Sequence, residues 1–143
     1  MSISAAFPAF FSFKTVAHRL MAILMLCLVS MSAAWAEPYN EDRFKTLQAQ
    51  NKLILVEVNA PWCPVCQAQQ KVLKYYQRKN PDSGLHVLTI DFDTQKDLVR
   101  QFRAPRQSAL FLYAGADRVW FSVGEKRTHI ITGQIESARE LLK

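Results

Sequence analysis

Between Leu53 and Val58 every residue is apolar except Glu57. A strand this uniformly greasy has no solvent face, so it belongs inside a sheet covered on both sides. Shortly after it, Pro64–Lys79 takes up helical spacing, with Val65, Ala68, Val72 and Tyr75 or Tyr76 recurring along one stripe. Asn80-Pro81 ends that helix and Asp82-Ser83-Gly84 turns the chain. A first helix is expected at Glu41–Gln50, where Phe44 and Leu47 share a face. Leu85–Phe92 reads as a second strand. Thr94 is expected to N-cap a helix that runs to about Phe102, with Asp97 in its first turn. Arg103–Gln107 is a polar loop. Ala109–Tyr113 and Arg118–Val123 form two strands joined through Ala114-Gly115-Ala116-Asp117. A last helix carries Ile131, Ile135, Ala138 and Leu142, and starts at Thr128 or Thr132. Helices between strands favour parallel crossovers, and the hairpin adds an antiparallel edge. The fold class is α/β, a mixed central sheet flanked by helices with a C-terminal β-hairpin and helix.

The first 36 residues have a different character. Lys14, His18 and Arg19 precede the apolar run Leu20–Met31, and small residues stand at Ala34 and Ala36. That is the build of a secretory signal peptide cleaved before Glu37, leaving one domain at 37–143. The competing reading is an uncleaved anchor, but a spanning helix needs roughly 20 apolar residues and this run is shorter. The leader takes two of the 18 Lys and Arg and none of the 12 Asp and Glu, so the remaining domain is basic. Its basic residues are scattered from Arg43 to Lys143, a solubility pattern with no nucleic-acid stripe.

Of the three cysteines, Cys27 departs with the leader and Cys63 and Cys66 stay. A bridge between them closes so short a loop that it restrains the unfolded chain weakly, so chemistry is the better reason for the pair. Cys63 falls at the start of a helix, where unpaired N–H groups and the helix dipole favour a thiolate, the attacking form of sulfur. Pro64 is tolerated in the first turn, since no intrahelical carbonyl awaits its missing N–H. Cysteines three positions apart share a helical face, so Cys63 can attack a disulfide and Cys66 can resolve the mixed disulfide.

The segment Leu55-Val56-Glu57-Val58-Asn59-Ala60-Pro61-Trp62-Cys63-Pro64-Val65-Cys66 resembles the active-site region of the thioredoxin family. The family pattern is an apolar strand with one buried acid, followed by Ala-x-Trp-Cys-x-x-Cys. The likeness extends over nearly all of residues 41–143 and implies a thioredoxin fold. It implies that Cys63 is an exposed nucleophile, that Cys66 is a shielded resolving thiol, and that Glu57 moves the proton of Cys66. The residues themselves support the last point. An acid in an apolar strand is costly unless it is neutral, paired or at work, and burial raises its pKa toward the useful range. The plainer alternative is that strand twist brings Glu57 to solvent beside Lys52.

Two departures from the family pattern stand out. Where the family carries a cis-proline before the strand of the hairpin, counting back from Ala109 gives Ser108, preceded by Gln107. Pro105 lies three residues earlier and would need an insertion to reach the place. A serine there removes the need for a cis peptide and leaves substrate docking and the exclusion of metal from the cysteines open. Between the cysteines, Val65 has no side-chain donor for a thiolate, which favours a reducing or balanced role over a strongly oxidising one.

Trp62, Pro64, Val65, Gln107 and Ser108 are the candidate substrate-binding residues. Trp62 reads equally well as core packing. Arg103 and Arg106 are as readily surface charges as partners of a thiolate. Asp91 and Asp93 read as caps of the loop and following helix. His86 and His129 show no ligand spacing to the cysteines, so no metal site is expected. No phosphate-cradling glycine loop occurs, so no cofactor is expected and electrons would come from a protein. The expectation is a monomeric, periplasmic disulfide oxidoreductase whose partners are client proteins with disulfides, with a membrane electron-donor protein as a candidate source of electrons. Its rivals are a redox-inert binding module and a metal-handling protein that uses the two thiolates.

Overall fold

The computed structural model describes residues 35–143, so the leader reading falls almost wholly outside the described residues. The elements run β1 (Glu37–Pro38), α1 (Glu41–Ala49), β2 (Leu53–Asn59), α2 (Pro64–Lys79), β3 (Leu85–Asp91), α3 (Lys96–Gln101), β4 (Ala109–Ala114), β5 (Asp117–Val123) and α4 (Thr128–Glu140). They form one five-stranded sheet in the order β1-β3-β2-β4-β5. The first three neighbours are parallel, while β4 and β5 are antiparallel to their partners. This is the mixed sheet with a C-terminal hairpin that the order of elements requires.

The central position of β2 explains its composition. Leu53 and Leu55 face Val72, Leu73 and Tyr76 of α2 and Ile131 and Ile135 of α4. Ile54, Val56 and Val58 face the opposite layer, with Phe44 and Leu47 of α1, Val99 of α3 and Phe111 of β4. Alternation along a strand therefore buries both sets. Glu57, in step with Leu53 and Leu55, points into the α2 layer. It is only 2% exposed, so the solvent-facing alternative is excluded.

Three details differ from the expectations drawn from local pattern. The two-residue strand β1 pairs with Leu88 and Thr89 of β3 and has no counterpart in the sequence reading. Thr94 does not cap α3: the helix begins at Lys96, and Asp91 Oδ1 accepts the backbone N–H groups of Asp93 and Thr94 instead. That turn uses up the residues expected to open the helix. On α2 the buried stripe is Cys66, Gln69, Val72, Leu73 and Tyr76, and Tyr75 points outward. At the far end, α4 begins at Thr128. No helix among the described residues is long and apolar enough to cross a membrane.

Candidate active site

The strand β2 ends against the start of α2, and the connecting residues carry the cysteine pair. Cys63 is the N-cap of α2, with extended backbone (φ −87°, ψ 111°), and Pro64 occupies the first turn. Its Sγ accepts the Cys66 backbone N–H at 3.1 Å. A sulfur at this place takes up one of the helix's orphan donors and meets the positive end of its dipole. The two cysteines are not bridged to each other in this structure.

Both sulfurs are sheltered. Cys63 is 3% exposed and Cys66 1%. The exposed nucleophile that the family likeness implies is thus nearly covered here. Its thiol turns back over the helix start toward the Cys66 N–H, while Val65 and Phe92 pack against the pair. Trp62 and Pro64, which flank Cys63 in sequence, are both exposed. Trp62 stands 58% exposed and donates through Nε1 to Asp93 Oδ2 at 2.8 Å, so it is a surface residue held in place and not a core residue.

Burial pushes the Cys66 thiol up to about 12, and its hydrogen bond with Cys63 adds to the rise. The backbone N–H groups of Ala60 and Ser108, near the sulfur, pull the other way. A thiol raised this far is mostly protonated at neutral pH, so attack by Cys66 would call for a base.

Ser108, not Pro105, is the residue that approaches Cys66. It lies just before β4, and its N–H donates to Val58 O, the carbonyl that also receives the Cys66 thiol. Ser108 adopts φ 62°, and the described residues include no cis peptide bond. A left-handed serine costs about 1 kcal/mol or more unless its surroundings impose it. Here they do. Its carbonyl accepts both Gly124 N–H at 2.9 Å and Gln69 Nε2 at 3.1 Å, and its hydroxyl donates to Gln107 O at 2.5 Å.

Gln69 was not singled out by sequence reasoning. Fully buried on α2, it donates to Ser108 O and also to Glu125 O at 2.8 Å, tying the loops before β4 and after β5 to the helix. A polar residue three places after Cys66, inside an otherwise apolar stripe, was the available signal. Gln70 was missed as well. Its Nε2 donates to Glu57 Oε1 at 3.2 Å, and Thr89 Oγ1 donates to the same oxygen at 2.8 Å. Since Cys66 and Gln70 are four residues apart on α2, they share a face, and Glu57 lies beneath that face. Burial raises the Glu57 pKa, against the lowering effects of the Thr89 and Gln70 hydrogen bonds and the Lys74 charge.

The remaining candidates are dispersed. Arg103 and Arg106 are exposed, and the Arg106 guanidinium lies over Gly124 beside the Ser108 loop. His86 stands in β3 opposite Ile54, and His129 opens α4.

The family model described as Thioredoxin matches residues 36–137. The chain belongs to the thioredoxin family. Thioredoxin-1 of Schizosaccharomyces pombe is 26% identical over 85 residues, 59% of this chain and 81% of the relative. A protein disulfide-isomerase of Drosophila melanogaster is 28% identical over 92 residues, 63% of this chain but only 18% of the isomerase. This thioredoxin-family domain therefore spans under a fifth of that longer relative. Among solved structures, Trxlp from Edwardsiella tarda EIB202 superposes with a TM-score of 0.66 at 36% identity, over 70% of this chain and 97% of the other. Malassezia sympodialis thioredoxin shares the fold at a TM-score of 0.60 and 15% identity, over 70% of this chain and 88% of its own.

Proposed function

We propose that this thioredoxin-family domain is an exported thiol–disulfide oxidoreductase that reduces disulfides of client proteins. The observation that carries the reading is the Cys63 sulfur at the start of α2, with Cys66 one turn along and a buried carboxyl on the same side of the sheet. In the reducing direction the Cys63 thiolate attacks a client disulfide, forming a mixed disulfide and releasing one client thiolate. Glu57 takes the Cys66 proton, and the Cys66 thiolate displaces the second client sulfur. The enzyme ends oxidised at Cys63–Cys66, and the client has gained two electrons.

Client contact is assigned to Trp62, Pro64 and Val65, which flank Cys63 in sequence, and to Gln107 and Ser108 in the loop before β4, where the Ser108 N–H shares the Val58 carbonyl with the Cys66 thiol. A reducing direction is supported by Val65, which offers no donor to a thiolate. The charge pattern and the pair of cysteines retained after residue 36 support a periplasmic site of action, reached by a cleaved signal peptide. With no cofactor involved, re-reduction falls to a protein, and a membrane electron donor is the suitable source. The domain acts as a monomer in this reading.

The low exposure of both sulfurs favours one rival, a redox-silent module that uses the fold only to dock a partner. Insulin precipitation separates the two. With dithiothreitol as electron source, the purified protein is expected to accelerate precipitation at least about tenfold over reductant alone, the scale of an assisted proton transfer or better. A rate equal to that of reductant alone favours the binding module. N-terminal sequencing of the exported form is expected to begin at Glu37.

A further inference from the structure

A cleft of about 420 Å³ opens beside β1, lined among others by Glu37, Pro38, Gln70, Thr89, Asp91 and Gln95. It shares no residue with the surface around Cys63. Two of its lining residues, Gln70 and Thr89, are the two that hydrogen-bond Glu57 Oε1. Glu57 itself is covered, so these side chains stand between the carboxyl and the open cleft.

We propose that the Thr89 hydroxyl relays protons between Glu57 and solvent in this cleft, and that Gln70 holds the carboxyl in position for the transfer. The inference rests on Glu57 acting as the base for Cys66. A hydroxyl both donates and accepts, so Thr89 can take a proton from the carboxyl while its own proton passes to water in the cleft. The amide N–H of Gln70 donates but does not exchange in this way, so its contribution is orientation. Burial holds the carboxyl protonated above the ordinary range, and it must lose that proton before it can accept one from Cys66. A back exit allows this while a client covers Cys63.

The charged and titratable groups around Glu57 are few. From α2 comes Lys74, whose charge favours the carboxylate, and Cys66 lies one turn before Gln70 on the same helix. From β3 comes Asp91, in step with Thr89 and lining the cleft, and from β1 comes Glu37. On β4 the partner of Glu57 is Leu110, which is apolar. Cleavage before Glu37 would remove Trp35 and Ala36, which also line the cleft, and open it further.

Stopped-flow reaction of the reduced protein with 5,5′-dithiobis(2-nitrobenzoate) tests this. The first release of thionitrobenzoate reports attack by Cys63, and the second reports resolution by Cys66. Thr89→Val is expected to slow the second phase about tenfold and leave the first unchanged, whereas Thr89→Ser stays within about twofold of the parent. Gln70→Leu is expected to shift the pH midpoint of the second phase upward. If Glu57→Gln slows the second phase but Thr89→Val does not, the relay is overturned and the base stands. If Glu57→Gln leaves the second phase unchanged, both are overturned. A slowed Thr89→Ser variant, with Thr89→Val equally slow, also contradicts a relay by the hydroxyl.

Discussion

Replacing Cys63 with serine is expected to lower kcat/KM for disulfide reduction by more than about a thousandfold, the scale of losing a nucleophile. The fold should tolerate the change. Cys63 caps α2 by accepting the Cys66 N–H, and a serine hydroxyl is among the best groups for that place, so stability should stay within about 1 kcal/mol of the parent. Cys66 cannot substitute as the attacking sulfur. Its thiol is held at about 12 chiefly by burial, which the change at residue 63 leaves in place. Insulin reduction and thermal unfolding, measured on the same sample, check the two halves. An unfolded variant contradicts the capping argument, and an active one contradicts the assignment of attack to Cys63.

The second large effect is expected at Glu57, where stability and turnover should move in opposite directions. Burial raises the folded-state pKa above the ordinary value of 4.5. The folded chain therefore holds this proton more tightly than the unfolded chain. The linked stability is fully present below pH 4.5 and is lost as pH rises through the raised folded value. Glu57→Gln resembles the protonated carboxyl, and its oxygen can still accept from Gln70 and Thr89. The variant should match the parent near pH 4 and become the more stable of the two above it. The gap should grow by about 1.4 kcal/mol per pH unit until the folded value is passed. Over the same range its reduction of insulin should fall at least about tenfold. Urea unfolding at several pH values measures the first effect, and parallel curves for parent and variant would contradict a charged, buried Glu57.

What was legible in the sequence was governed by short-range physics. The uninterrupted apolar run of β2, the cap position of Cys63 and the hairpin glycine at φ 60° all follow from neighbours within a few residues. Glu57 was legible for the same reason, since an acid amid five apolar residues has few innocent explanations. What was not legible depends on partners far along the chain. Strand β1 has two residues, one of them proline, and exists only because β3 offers it an edge. Thr94 has the right chemistry for a cap, but Asp91 captures the backbone there first. Gln69 and Gln70 look like ordinary solvated glutamines until the loops before β4 and after β5, and Glu57 of β2, fold against α2 and supply their acceptors. The near-complete cover over Cys63 likewise comes from packing by Phe92, which lies beyond β3.

The handling of strain at Ser108 follows the same logic. No local pattern calls for a left-handed serine, yet four hydrogen bonds drawn from β2, α2, Gln107 and the loop after β5 hold it there. That places its backbone beside the sulfur that must be deprotonated. The loop before β4 and the start of α2 thus meet at Cys66.

Mass spectrometry of the Cys66→Ser variant incubated with insulin tests the exchange chemistry most directly. Without its resolving partner, the sulfur at residue 63 should stall as a covalent adduct carrying one insulin chain. Peptide mapping should locate the bond at Cys63, and dithiothreitol should release it. Recovery of the variant at its unmodified mass, with insulin intact, would show that this sulfur does not attack disulfides.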